Sequence, residues 1–243
     1  MRPEAILFDV DDTLYDCQWP FNMAVREVFQ GKYDADIDRI YRRSRYWTDL
    51  KFVDYCEGRL STEDYYCLRN QNAFADFGIA ITREEALAVM DRYKAYQEKI
   101  AMSDTVKEIL LRLRKSGVFT GVISNGVSAA QWKKIETLQI PDYIDRNRII
   151  VSGDVGVSKP DPEIYRIACR RLELAPEEVW YVGDNYANDV TAAAQAGLHT
   201  IWFNRKRFDQ PATEIHPDCT VYDETELARL LQETGDGSVS PLK

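Results

Sequence analysis

Ala5-Ile6-Leu7-Phe8-Asp9-Val10-Asp11-Asp12-Thr13-Leu14 is the stretch on which the reading of this chain turns. An unbroken apolar run meets a cluster of acids. Such a run, short and bounded by polar residues, reads as a strand buried on both faces, the form that strands of a parallel sheet take. Val118–Ser124 (VFTGVIS), Ile149–Ser152, Val179–Gly183 (VWYVG) and Thr200–Phe203 repeat it. Helical patterns lie between these runs. Val106, Ile109, Leu110 and Leu113 share a face, and Gly117 follows where a helix C-cap would sit. Ile164, Ile167, Ala168 and Leu172 form another, with Pro162 in its first turn. Asp189–Ala196 (DVTAAAQA) is Ala-rich and stops at Gly197. Strand then helix, repeated from residue 100 onward, predicts an α/β sheet with right-handed crossovers. Functional residues of such sheets gather at the carboxyl ends of the strands.

Residues 18–100 read differently. They lack buried-strand runs and are rich in aromatics and charges. Phe21, Val25, Val28 and Phe29 suit one amphipathic helix, and Ile37, Ile40 and Tyr41 a second. Tyr65, Leu68 and Arg69 fall in a third, opened by Ser61-Thr62-Glu63-Asp64, and Ala86, Val89, Met90 and Tyr93 in a fourth. The expected organisation is a core of residues 1–17 and 101–234, an inserted all-α unit of residues 18–100, and a disordered tail over 235–243 (GDGSVSPLK).

The chain has 243 residues, 45% hydrophobic and 29% charged, enough apolar material for a sizeable core. Lys and Arg number 31 and Asp and Glu 40, a net charge of −9. That balance repels a nucleic-acid backbone but does not exclude a small anion, which local cations can hold at short range. The five cysteines, odd in number and never at CxxC spacing, read as thiols of a reducing compartment. Nothing approaches the roughly 20 apolar residues of a membrane span, and the apolar run before Asp9 is too short for a signal-peptide core. A cytoplasmic protein with no membrane or obligate protein partner is expected.

Four segments, each following an expected strand, carry the chemistry: Asp9–Leu14, Ser124-Asn125-Gly126, Lys159-Pro160-Asp161-Pro162, and Gly183-Asp184-Asn185-Tyr186-Ala187-Asn188-Asp189. Strand ends of a parallel sheet lie side by side, so these residues can converge. Asp9 and Asp11 would point the same way on a continuing strand, or flank one point if the chain turns there. Two carboxylates supply a nucleophile and a general acid. A carboxylate attacking a phosphate dianion meets repulsion of roughly 4 kcal/mol per unit-charge pair at 4 Å and an effective dielectric of 20. A cation must cancel it. Asp184 adds a third acid, and carboxylates with carbonyls make a hard-oxygen site suited to Mg²⁺. Ser124 offers a hydroxyl, Asn125 and Gly126 offer backbone N–H groups at a helix start, and Lys159 offers a positive charge.

This order of segments resembles the haloacid dehalogenase superfamily, in its aspartyl-phosphatase branch. The DxDxT motif is matched by Asp9, Asp11 and Thr13, and the strand-terminal Ser/Thr by Ser124 in VISNG. The lysine motif is matched by Lys159 in GVSKPDPEIY, and the acidic GD motif by Asp184 and Asp189 in VGDNYANDV. The resemblance implies a Rossmann-like parallel sheet with helices on both faces and a helical cap inserted after the first motif. It implies Asp9 as nucleophile and Asp11 as general acid and base. A general acid near two other acids should have a raised pKa, because like charges disfavour its ionised form. The resemblance implies Mg²⁺ on the Asp9 carboxylate, the Asp11 carbonyl and Asp184, with Asp189 and Thr13 in support, and Ser124, Asn125 and Lys159 on the phosphoryl group. The expected substrate is a small phosphorylated metabolite such as a nucleotide, FMN or a sugar phosphate. True dehalogenases resemble this chain elsewhere but lack an acid at the position of Asp11, because halide leaves without a proton. The chain is also similar to nucleotidase-like and FMN-phosphatase-like members.

Rival chemistries lack their parts. No cysteine has an Arg six residues on, no RHG occurs, and zinc-ligand spacing is missing. Val127-Ser128 stands where a Walker loop needs Lys-Ser/Thr. His199 reads as structural. In the insertion, Arg42, Arg43 and Arg45 read as a solvated helix face or as steering for an anion. Trp47, Tyr65, Tyr66 and Arg69 read as internal packing or as contacts to a base or flavin. Phosphomutase or phosphotransferase activity through the same intermediate, and a non-catalytic regulator of the same fold, are the alternatives to hydrolysis.

Overall fold

The computed structural model describes residues 2–235. The chain divides into two compact units, one running to Asp16 and resuming at Ala101, the other Cys17–Ile100.

The first unit is an α/β sheet. Its strands are β1 (Ala5–Phe8), β2 (Phe119–Ser124), β3 (Ile149–Val151), β4 (Val179–Gly183), β5 (His199–Phe203) and β6 (Cys219–Val221). They are ordered β3-β2-β1-β4-β5-β6, and every pair is parallel. Every residue of β1, β3 and β4 is buried, which is why these strands appear in the sequence as continuous apolar runs rather than alternating ones. The order reverses between β1 and β4. The crevice beyond their carboxyl ends is the topological switch point of the sheet, where ligands of doubly wound folds bind.

The second unit is all-helical: α1 (Gln18–Phe29), α2 (Ile37–Cys56), α3 (Thr62–Ala75) and α4 (Arg83–Gln97). Phe21, Val25, Ile37, Ile40, Tyr41, Tyr65, Ala86, Val89, Met90 and Tyr93 are buried, the faces expected from their spacing. Ser61 caps α3 by accepting from the Asp64 N–H, and Thr82 caps α4 in a reciprocal box with Glu85.

The remaining helices of the first unit are α5 (Asp104–Lys115), α6 (Ser128–Thr137), α7 (Ser152–Val155), α8 (Glu163–Leu172), α9 (Ala192–Gln195) and α10 (Glu224–Gly235). Gly117 takes φ +79° behind α5, the left-handed conformation of a helix stop. Gly235, assigned from sequence to the tail, closes α10, and the rest of that expected tail, 236–243, lies outside the described residues.

Two features differ from the expected pattern. The helix anticipated over 189–196 begins earlier, as a π-helical turn at Tyr186–Thr191 that passes into α9. Strand β6 was not anticipated, because three residues, two of them only half-buried, carry no periodic signal. Among the described residues, no helix is long and apolar enough to cross a membrane.

Gly121 sits mid-strand in β2, opposite Leu7. A Cβ there would lie 2.7 Å from Leu7 Cδ2 and 2.8 Å from the Arg148 carbonyl oxygen. Backbone cannot yield as a side chain can, so Gly121→Ala is expected to destabilise the protein by about 1–3 kcal/mol, the usual cost of overpacking. Denaturant unfolding of the two proteins measures it, and an unchanged midpoint would show that the sheet absorbs the methyl group.

Candidate active site

The end of β1 is shaped by one ladder bond and one turn. Asp9 N–H donates to the Val182 carbonyl at 2.9 Å, extending the β1–β4 ladder past the strand. The chain then folds back, with the Thr13 and Leu14 N–H groups on the Val10 carbonyl at 3.4 and 3.0 Å. Asp12 adopts φ +57°, a left-handed conformation that Asp tolerates better than most residues. Of the two arrangements open from sequence, the chain turns here, with Asp9 before the turn and Asp11 inside it.

Lys159 joins the distant segments. It is buried, and its Nζ lies 2.7 Å from Asp9 Oδ1, 2.7 Å from Asp189 Oδ1 and 3.0 Å from the Tyr181 hydroxyl. The Tyr181 hydroxyl in turn donates to the Ile123 carbonyl at 3.1 Å. Asn125 holds the lysine's main chain from both sides. Its Nδ2 donates to the Lys159 carbonyl at 2.8 Å, and its Oδ1 accepts from the Lys159 N–H at 2.9 Å. The Lys159–Pro160 bond is cis.

Asp189 comes from the π-helical turn. Asn185 caps that turn by accepting from the Asn188 N–H, and the Asp189 carboxylate folds back to accept from the Asn185 N–H at 2.9 Å. A Cβ on Gly183 would lie 2.4 Å from Asp189 Cγ, so glycine at the end of β4 makes room for this carboxylate. Asp184, the next residue, completes the cluster. Single carboxylate oxygens of Asp9, Asp184 and Asp189 all lie within 4.8 Å of one another.

One ammonium thus serves two carboxylates, with a third beside them. Burial opposes the charge on Lys159, but Asp189 and Asp9 outweigh it and hold the lysine's pKa up. Asp9 is left under-compensated. Burial pushes its pKa up, Lys159 opposes this, Asp189 and Asp11 reinforce it, and the result is about 7. Burial, then Asp189 and Asp9, raise the Tyr181 phenol well above its usual range, so it acts here as a neutral donor.

The donor set fits a hard divalent cation. Three close carboxylates against one lysine leave net negative charge in a buried site, and oxygen ligands are those Mg²⁺ takes. Asp189 already spends both oxygens on Lys159 and on the Asn185 N–H. It suits the support of a metal site better than direct ligation. Thr13 lies buried in the same turn, and its hydroxyl makes no hydrogen bond.

The phosphate-holding segment differs in part from expectation. Ser124 is buried at the end of β2, its hydroxyl donating to Gln131 Oε1 at 3.2 Å. The Gly126 N–H, expected to face an anion, donates instead to Ser152 Oγ at 2.9 Å, because α7 starts directly against this loop. Helix α6 begins only at Ser128, two residues beyond the expected point. The Asn125 side chain serves the Lys159 turn.

Sequence reasoning missed three residues here. Lys134 Nζ lies 2.7 Å from both oxygens of Asp11, and the Tyr15 hydroxyl donates to Asp11 Oδ1 at 2.6 Å. Asp11, expected near two other acids and Lys159, therefore also faces a lysine of its own. Gln131 donates from Nε2 to the Asn125 carbonyl at 2.7 Å. The only signal was Gln131 and Lys134 three apart in a helix that starts behind Ser124, which has no meaning until the helix is docked.

In the helical unit, Arg42, Arg45 and Trp47 lie on α2 and Arg69 on α3. Trp47 Nε1 donates to Asp76 at 2.9 Å, and Arg43 pairs with the same carboxylate. Tyr65 stacks on Tyr55 with centroids 4.5 Å apart. Arg69 is 8% exposed, its guanidinium over Tyr66 at 4.5 Å and Tyr93 at 5.3 Å. Trp47, Tyr65 and Arg69 thus engage the helical unit itself. His199 does too within the sheet unit: it stacks on Trp180 and contacts Asp218 at 3.0 Å.

Comparison with known proteins places this geometry. Residues 3–197 match the family model described as haloacid dehalogenase-like hydrolase. The chain is 34% identical to a phosphoserine phosphatase of Thermus thermophilus, over 92% of this chain and 97% of that one. It is 28% identical to a glyceraldehyde 3-phosphate phosphatase of Methanopyrus kandleri, over 95% of this chain and 97% of that one. The magnesium-bound structure of the HAD-hydrolase YfnB from Bacillus subtilis shares the fold with a TM-score of 0.70 at 24% identity, over 95% of this chain and 99% of that one. With a family model spanning most of the chain and a relative above 30% identity along nearly its whole length, this protein belongs to the haloacid dehalogenase-like hydrolases.

Proposed function

We propose that this chain is a Mg²⁺-dependent phosphatase that hydrolyses a small phosphate monoester through an aspartyl phosphate on Asp9. The observation that carries this reading is Lys159 Nζ at 2.7 Å from both Asp9 and Asp189, with the Asp184 carboxylate in the same cluster. Ends of separate strands supply a nucleophile, an ammonium and further acids at one buried point.

Asp9 attacks phosphorus, and the bond to the ester oxygen breaks. That oxygen takes its proton from Asp11. Water then attacks the aspartyl phosphate, gives a proton to Asp11, and the Asp9 carboxylate departs. Lys159 neutralises charge beside the attacked phosphoryl group, and Ser124 and the main chain of Asn125 hold its oxygens. Mg²⁺, held by the Asp9 carboxylate, the Asp11 carbonyl and Asp184, would supply the charge that lets a carboxylate approach a phosphate dianion. Asp189 and Thr13 support that site.

A proton donor at position 11 favours ester over carbon–halogen cleavage, since an alkoxide needs a proton to leave and a halide does not. The relatives' names, a phosphoserine phosphatase and a glyceraldehyde 3-phosphate phosphatase, support a small phosphorylated metabolite as substrate class. Arg42 and Arg45 of the helical unit are the proposed sources of substrate selectivity, whereas Trp47 and Arg69, engaged within that unit, are left out of that role. The five free cysteines support a cytoplasmic setting, and the net charge of −9 argues against nucleic acid.

Phosphate release from a metabolite panel with Mg²⁺ tests the reading. Asp9→Asn is expected to abolish turnover. Asp11→Asn should lower it by on the order of 10²–10⁴, the usual contribution of a general acid; wild-type rates in that variant would remove the acid role. EDTA should silence the enzyme and added Mg²⁺ restore it, whereas activity persisting in EDTA would take the metal out of the reaction.

A further inference from the structure

Asp11 is anchored by contacts that none of the four motifs carries. Lys134 Nζ meets Oδ1 and Oδ2 at 2.7 Å each, and the Tyr15 hydroxyl meets Oδ1 at 2.6 Å. The Lys134 and Asp11 side chains are only 11% and 18% exposed, so solvent weakens this pair less than it would a surface pair. Two charge-assisted hydrogen bonds from one ammonium and a third from a phenol restrict how the carboxyl group can turn.

Lys134 is itself placed by a built device. Gln131 lies one turn earlier on the same face of α6. It is buried, donates to the Asn125 carbonyl at 2.7 Å and accepts from Ser124 Oγ at 3.2 Å. A Cβ on Gly126 would lie 2.4 Å from Gln131 Nε2, so the glycine leaves room for this reach. One turn of α6 is therefore fastened to the loop behind β2, and the next is fastened to the loop behind β1. The helix sets the distance between the residues that hold the phosphoryl group and the residue that protonates its ester oxygen.

Building on the phosphatase reading above, we propose that Lys134 is a positioning residue for Asp11. With Tyr15 it aims the Asp11 carboxyl at the ester oxygen, and Lys134 itself does not hold the phosphoryl group. Its effect falls on the step in which the P–O bond to the leaving oxygen breaks and Asp11, protonated on an oxygen that Lys134 has released to the substrate, passes that proton to the leaving oxygen.

The test compares kcat/KM, which reports formation of the aspartyl phosphate, for two esters on the full chain with Mg²⁺. O-phosphoserine releases an alkoxide that needs a proton, and p-nitrophenyl phosphate releases a phenolate that does not. Lys134→Met is expected to lower kcat/KM for O-phosphoserine by about 10–100-fold, a share of the general-acid contribution. It should change the value for p-nitrophenyl phosphate by less than about 3-fold, and Lys134→Arg should recover most of the loss. Added to Asp11→Asn, Lys134→Met should cost nothing more, because residues that act as a unit are not additive. Inhibition by inorganic phosphate should be unchanged. Equal losses on both esters, an additive double variant or weakened phosphate inhibition would mean that Lys134 holds the phosphoryl group directly, and would overturn the proposal. If Lys134→Met does not fold, Lys134→Gln makes the same comparisons. Crystal structures decide the placement independently of turnover: the Asp11 carboxylate should shift in Lys134→Met relative to wild type, and an unmoved carboxylate overturns the proposal. A wild type that hydrolyses neither ester would sink the phosphatase reading, while the two structures would still decide whether Lys134 positions Asp11.

Discussion

The ammonium of Lys159, shared between Asp9 and Asp189, is the contact on which the site is built. All three groups are buried, and a charge left unpaired there would cost several kcal/mol. The lysine is held by its main chain through Asn125 and by its head group through Tyr181. Through these bonds it ties together the ends of β1, β2 and β4 and the loop that precedes α8. A single positive charge is too little for three acids. With Asp184 beside them, the carboxylates form an oxygen-donor set of the kind that a hard cation takes.

The carboxylates that matter most are assigned separate lysines. Asp9 faces Lys159 at the end of its strand, while Asp11, within the turn that closes on the Val10 carbonyl, faces Lys134 from α6. Two neighbouring acids thereby stand in different electrostatic settings. Asp12, left-handed between Asp11 and Thr13, carries the chain on through that turn. Gly183 plays the matching part behind β4, since any side chain there would displace Asp189.

The helical unit shows how a residue's role depends on its neighbours rather than its type. An arginine and aromatics scattered along 47–69 read from sequence as internal packing or as contacts to a base or flavin. In the folded unit Trp47 donates to Asp76, Tyr65 stacks on Tyr55, and Arg69 lies over Tyr66 and Tyr93. Tyr66 is one turn from Arg69 on α3, but Asp76, Tyr55 and Tyr93 lie beyond or on other helices, where linear spacing does not pair them.

From sequence alone came the α/β class, five of the six strands, the helical insertion and the segments that meet at Lys159. These are legible because a strand buried on both faces must be apolar throughout, and because the ends of parallel strands must lie together. Only the tertiary structure decided that the chain turns between Val10 and Leu14 with Asp11 inside the turn, that Gly126 spends its N–H on Ser152, that a π-helical turn delivers Asp189, and that Lys134, Tyr15 and Gln131 belong to the site. The physical reason is one of range. Burial and strand order leave a periodic trace along the chain, whereas a hydrogen bond between Lys134 and Asp11 joins residues 123 positions apart and exists only once α6 reaches the loop behind β1.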